Sequence, residues 1–153
     1  MEAVDVQKAI KDAIQTEKDA MDYYKYGAEQ MADERARGTF ELLAREEHQH
    51  AESFYKIYQG ADIPSFEAFM SAPPNTASSW WKHLQELLVG EFDERKALEL
   101  AIEQEEALEK ELRAIAARMT DPEVARVYLA NASSTHHHLE MVEEDYKAML
   151  GMA

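Results

Sequence analysis

The stretch Leu42-Leu-Ala-Arg-Glu-Glu-His-Gln-His-Ala-Glu-Ser-Phe54 carries a helical apolar pattern with two polar interruptions. Apolar positions run Phe40, Leu43, Phe54, Ile57, and the two missing members of that 3,4,3,4,3 series are Glu47 and His50. A carboxylate and an imidazole therefore point inward together. Burying a lone charge costs several kcal/mol, so such a pair persists in a core only when it is partnered or bound to a metal.

The chain on either side continues the pattern. From about Val4 to Met31 a seam reads Ile10, Ile14, Glu17, Met21, Tyr24, Ala28, Met31, an unbroken 4,3,4,3,4,3 spacing whose only charged member is Glu17. Asp33 is placed to cap the next helix, which runs through Phe40 to about Tyr58, so two helices joined by a short turn form an antiparallel hairpin. From Gln59 to about Ser79 the pattern dissolves. Gly60, Pro64 and Ala72-Pro-Pro-Asn-Thr break any long helix and leave Ser65 to Met70 room for a turn or two. Trp80-Trp81 with Leu84, Leu87 and Leu88 predicts a short amphipathic segment that packs outside the bundle or meets a partner. A third long helix, about Phe92 to Arg118, carries the seam Leu98, Ile102, Glu105, Leu108, Leu112, Ile115, Met119. Asp121-Pro122 supplies an N-cap and a first-turn proline for a fourth, which runs to about Leu150.

The two halves repeat at one offset without gaps. Glu17 maps to Glu105 (105 − 17 = 88), and Asp33 to Asp121, Phe40 to Tyr128, His50 to His138 and Glu52 to Glu140 by the same shift. Ala13-Ile14 lies over Ala101-Ile102. The chain is two copies of a helical hairpin, and the inward acid and inward histidine recur in both. Packed face to face, the copies bring Glu17, Glu47, His50, Glu105 and His138 to one level of a four-helix core. Taken singly, each acid reads as a half-exposed seam residue and each histidine as a hydrogen-bonded core residue. Taken jointly they point to a metal, and Glu-x-x-His on an inward helix face is a ligand unit of di-iron bundles.

The pattern Ala-Ile-x-x-Glu in the first and third helices, Leu-Ala-x-Glu-Glu-x-x-His-Ala-Glu in the second, and His-x-Glu with following acids and a tyrosine in the fourth resembles the ferritin-like superfamily. Within it, the chain looks like the rubrerythrin-like proteins with a non-haem di-iron centre, here without a rubredoxin domain. The resemblance covers both hairpins and leaves out the crossover. It implies an all-α, ferritin-like four-helix bundle made of two repeated hairpins with a long crossover. The expected single domain spans 1–153, with hairpin one about 4–58, crossover about 59–91 and hairpin two about 92–150. It further implies Glu17 and Glu105 as terminal carboxylates, Glu47 as the bridge, and His50 and His138 as imidazole ligands. The implied cofactor is iron, as two ions or one, with manganese or zinc as alternatives. Related bundles often pair, so a homodimer is expected.

One position departs from the family. A second Glu-x-x-His is expected in the fourth helix, but the residue shifted 88 from Glu47 is Thr135, a poor ligand beside a carboxylate. A weaker second iron site, a mononuclear centre and a decayed site all follow as alternatives. Glu109 is a candidate replacement, because it stands four residues after Glu105, about 6 Å along the helix on nearly the same face. Its alternative place is the solvated edge of an acid-rich helix. His136 and His137 lie about 200° and about 100° around the helix from His138 and share no face with it. With His48 they read as surface imidazoles, and Met21, Met31 and Met119 as core. Tyr24, one heptad from Glu17, reads as packing against the site more than as bonding to it.

Composition narrows the chemistry. The 153 residues are 31% charged with five Gly and four Pro, which favours long helices over sheet. A formal charge of −15 disfavours nucleic acid and anionic membranes as partners and attracts cations. The opening Met-Glu-Ala-Val-Asp lacks the basic and apolar regions of a leader, and no apolar run approaches the about 18 residues of a membrane span, so a cytoplasmic location is expected. Zero cysteines exclude disulfides, thiolate catalysis and any Cys-ligated metal. The expected activity is a non-haem iron oxidoreductase that reduces peroxide with electrons from an external donor protein. The alternatives are a metal-binding or ferrous-oxidising protein without peroxidase turnover, and a bundle with a decayed site that serves partner binding.

Overall fold

Three aspartates start three of the four long helices. In the computed structural model, which describes residues 3–151, the helices are α1 (Ala3–Gln30), α2 (Glu34–Tyr55), α3 (Phe66–Ser71), α4 (Ser79–Leu88), α5 (Glu94–Arg118) and α6 (Pro122–Met149). Asp33, Asp93 and Asp121 accept hydrogen bonds from Ala36 N at 2.9 Å, Lys96 N at 3.0 Å and Glu123 N at 2.9 Å. Each satisfies a first-turn N–H that would otherwise have no partner, a contribution of about 1 kcal/mol. The internal repeat is visible in the boundaries: α2 and α6 start 88 residues apart (122 − 34), and α1 and α5 end 88 apart (118 − 30). α2 ends before the expected Tyr58, because the bonds Ile57 N to Phe54 O and Tyr58 N to Tyr55 O tighten the chain into the crossover.

α1 packs chiefly on α2 and α5 on α6, and the two hairpins meet mainly where α2 lies against α6. The result is the all-helical four-helix bundle with a long crossover. α3 rests on α2, and α4 lies across both α1 and α5. The apolar seams converge on two clusters, one around Tyr23, Tyr24, Phe40, Leu43 and Leu98, the other around Ile10, Ile14, Phe54, Leu112 and Tyr128. Glu17 falls in sequence between the α1 members of the two clusters, and Glu47 and His50 fall between those of α2.

The crossover covers the bundle. Trp80 is 4% exposed and packs on Tyr23 and Tyr24, with ring centroids 5.2 and 5.6 Å away. Tyr23 in turn donates to Ala97 O at 2.7 Å. Trp81 is half-buried against Tyr26, so the pair packs on its own bundle, the first of the two roles open to it. Gly90, at a φ of +82°, makes the left-handed turn from α4 toward α5. The crossover also hides a charge, for the Lys18 ammonium is buried, 2.7 Å from Asp22 Oδ2 and 3.4 Å from Pro73 O. Among the described residues no helix is long and apolar enough to cross a membrane. Met1 and Glu2, part of the stretch read for a leader, lie outside the described residues.

Candidate metal centre

Four helices each send acid or imidazole groups to one buried layer. Glu17 comes from α1, Glu47 and His50 from α2, Glu105 from α5 and His138 from α6, and no side chain among them is more than 9% exposed. His50 Nδ1 lies 3.4 Å from Glu17 Oε2 and 3.3 Å from Glu47 Oε1. His138 Nδ1 lies 3.0 Å from that same Glu47 oxygen and 3.9 Å from Glu105 Oε1. The two imidazoles stack in parallel, centroids 5.1 Å apart with 5° between planes. One Glu47 oxygen is thus shared between the inward nitrogens of both rings.

Outer partners orient these groups. His50 Nε2 is 2.8 Å from Ser134 Oγ, and His138 Nε2 is 2.8 Å from Glu46 Oε1. Both rings therefore turn Nδ1 toward the cluster. Tyr24 OH donates to Glu105 Oε1 at 2.7 Å, so Tyr24 bonds to the cluster as well as packing on it, which corrects the packing-only preference. Asn131 Nδ2 donates to Ser53 Oγ at 3.0 Å, and Ser53 Oγ donates to His50 O at 2.6 Å, which secures α2 against α6 beside the ring. Periodicity missed Glu46 and Ser134. The repeat offered a signal, since each stands four residues before a histidine and they are 88 apart (134 − 46).

The charges are strongly interdependent. Burial, and then the neighbouring Glu47, raises Glu17 to about 8 and holds Glu105 well above the usual carboxylate range. Burial opposes charge on Glu47 too, but His138 and His50 outweigh it and keep Glu47 far below that range. Burial likewise opposes the imidazolium forms, yet Glu17 and Glu47 raise His50 to about 11 and Glu47 and Glu105 raise His138 to about 9. Without a metal, protons supply the positive charge that the cluster demands.

The donor atoms fit a divalent cation. Both oxygens of Glu17 and Glu47, Glu105 Oε2, and Nδ1 of His50 and His138 are buried without a hydrogen-bond partner. Leaving so many buried polar atoms unpaired would cost about 1–3 kcal/mol each, which a shared ligand would offset. Glu47, His50 and His138 each offer a ligand atom within 4.8 Å of the others. Carboxylate with imidazole suits iron, manganese or zinc.

Glu109 does not join the layer. Its Oε2 accepts from Arg113 Nε at 2.8 Å and its Oε1 lies 2.8 Å from His136 Nδ1, so Glu109 is held at the rim and supplies nothing in place of the missing carboxylate. Thr135 itself is fully buried, with Oγ1 unpartnered. His136 and His137 are exposed, and His48 packs half-buried against Phe66. Met21 and Met31 are buried.

A cleft of about 130 Å³ between α1 and α5 has Glu17 in its lining. Its walls include Ala13, Leu108 and Leu112, and Asp12 and Glu111 also line it. Tyr128 lines it too, and the Tyr128 hydroxyl is buried without a partner.

No curated protein and no solved structure matches the chain. A comparison with protein families matches Rubrerythrin over residues 8–146, a span that holds α2 and α5 whole, most of α1 and α6, and every member of the buried layer. A match over most of the chain, on a four-helix bundle whose helices present three acids and two inward imidazoles to one layer, shows that the chain belongs to the rubrerythrin family.

Proposed function

We propose that this protein is a non-haem iron oxidoreductase that reduces hydrogen peroxide to water with electrons from a separate donor protein. The observation that carries the reading is the buried layer of unpartnered carboxylate and imidazole atoms beside a cleft of about 130 Å³. That volume is well below the roughly 300–1,000 Å³ of pockets for larger organic ligands, and it suits a small molecule. Glu17, Glu47, Glu105, His50 and His138 would hold the iron, which when bound supplies redox cycling between ferrous and ferric states. Ser134, Glu46 and Tyr24 orient the ligating groups. The surrounding apolar clusters exclude bulk water, and the free Tyr128 hydroxyl gives a small polar ligand a hydrogen bond on its way in. Reduction of one peroxide takes two electrons and two protons and yields two waters. With no cysteine in the sequence to ligate an electron-transfer iron, the electrons come from another protein.

One observation favours a second reading, ferrous oxidation without peroxidase turnover: Asp12 and Glu111 line the cleft with Glu17 and outnumber its single cation, Arg118, so the lining stays net acidic and would draw in cations. One experiment separates the two. Protein purified without added metal is analysed for iron, then loaded with Fe(II) anaerobically; one portion is mixed with peroxide and a reduced iron–sulfur carrier, and a second is exposed to dioxygen alone. Donor oxidation at two electrons per peroxide supports the proposal. Oxidation of Fe(II) by oxygen with no donor-dependent loss of peroxide supports the second reading, and absence of metal binding defeats both.

A further inference from the structure

The two histidines are equivalent by the repeat but not by their surroundings. His138 turns Nε2 to the Glu46 carboxylate, whereas His50 turns Nε2 to the Ser134 hydroxyl, both at 2.8 Å. Glu46 and Ser134 are themselves repeat equivalents, so each hairpin orients the other hairpin's histidine, one with a charge and one without. The same asymmetry affects the acids. Glu105 Oε1 is held by the Tyr24 hydroxyl, while neither oxygen of Glu17 has a hydrogen-bond partner and Glu17 lines the α1–α5 cleft. Thr135 removes the second carboxylate that would have been shared between the two sides. Distances alone do not separate them, since each imidazole has an acid of its own besides Glu47, at 3.4 and 3.9 Å.

From this we propose that the layer is two unequal half-sites sharing Glu47: a retaining half of Glu105 and His138, and an exchanging half of Glu17 and His50. The inference rests on the metal-binding part of the reading above and is independent of peroxide reduction. A carboxylate behind a ligating imidazole fixes its orientation and makes the inward nitrogen a stronger donor, and loss of such a partner weakens metal binding by about 10–100-fold. Glu46 does this for His138 only. The Glu17 half combines a hydroxyl-backed imidazole, an untethered acid and a neighbouring cleft. An ion there is held by fewer fixed groups and has a shorter way out. Glu46 and Ser134 are thus positioning residues that rank the two half-sites.

The test is titration of Co(II) alone into the metal-free full-length chain, followed by its visible absorption and by calorimetry. Two separated steps of one ion each are expected. Glu46→Gln keeps an oxygen for the His138 ring and removes the charge, and it should weaken the first step about 10–100-fold while sparing the second. Ser134→Asp should tighten the second step and narrow the gap. Both positions are half-buried, and circular dichroism of the metal-free variants checks their folding. If Glu46→Gln does not fold, Ser134→Asp alone decides, and failure to tighten the second step overturns the proposal. Two ions binding in one indistinguishable step, one ion only, or Glu46→Gln acting on the weaker step also overturn it. No cobalt bound at all would defeat the metal centre as a whole, whereas two ranked steps without peroxide consumption would leave this inference standing and remove the activity.

Discussion

Tyr24 and Glu105, 81 positions apart in the chain, are joined by a 2.7 Å hydrogen bond that ties α1 to α5 inside the core. Tyr24 is fully buried, with its ring edge-on to Phe40 at 5.0 Å, so the phenol has no alternative partner in solvent. Tyr24→Phe keeps the packing and leaves Glu105 Oε1 unpaired. Metal-free protein should lose about 1–2 kcal/mol in urea unfolding. An unchanged midpoint would show that the bond contributes nothing.

The metal-free protein should lose stability as pH rises above neutrality. Glu17 at about 8, His50 at about 11 and His138 at about 9 all stand above their ordinary values of 4.5 and 6.5. Groups raised in the fold contribute stability that is complete below the unfolded values and lost as pH climbs through the folded ones. Glu47 has the opposite sign, and its contribution is lost on acidification below 4.5. The melting temperature without metal should therefore be highest near pH 4.5, where Glu47 is complete and Glu17 not yet lost, and fall as the pH climbs toward about 11. Saturating Zn(II) displaces those protons and should flatten the alkaline fall. A metal-free melting temperature that rises from about pH 6.5 to 9 would contradict this.

Glu47→Ala removes the one oxygen that faces both imidazoles. Metal content after native purification should fall, and added metal should no longer raise the melting temperature. For the unmodified chain, metal at a hundredfold excess over Kd would add about 2.7 kcal/mol. Unaltered stoichiometry in the variant would take Glu47 out of the site.

Asp22→Ala strands the Lys18 ammonium, whose side chain is 3% exposed. Removing one member of a buried pair costs about 3–5 kcal/mol, whereas replacing both by apolar residues is often neutral. The double change Lys18→Met, Asp22→Leu should thus recover most of the loss in chemical denaturation. If the single variant is as stable as the parent, the burial of Lys18 has been overstated.

Helix periodicity is a strong guide to which face a residue occupies, and that is why Glu17, Glu47, His50, Glu105 and His138 could be picked out as seam interruptions and why the structure finds them in one layer. It says little about reach or about partners on other helices. Tyr24 sits on the seam whether its hydroxyl bonds or not, and only the spacing of α1 from α5 decides that it meets Glu105. Glu46 and Ser134 flank the seam, so which imidazole each orients depends on how the hairpins cross. Glu109 marks the same limit: by angle its face is near that of Glu105 and leaves both the layer and the solvated edge open, and Arg113 and His136 hold its carboxylate at the rim. The burial of Lys18 leaves no trace in the sequence pattern, because its cover, the segment around Pro73, is distant in sequence and has no periodic signature.

The exchange of partners between hairpins has a consequence for assembly. His50 leans on Ser134, His138 on Glu46 and Glu105 on Tyr24, so every one of these bonds joins one hairpin to the other and none lies within a single hairpin. Neither hairpin can by itself present an oriented set of donors, however well its own two helices pair. The layer is completed only when the halves dock, and a cation bound there acts as a cross-link whose grip measures docking. Its removal should loosen the seam between α2 and α6 first, with the turns inside each hairpin the last to open.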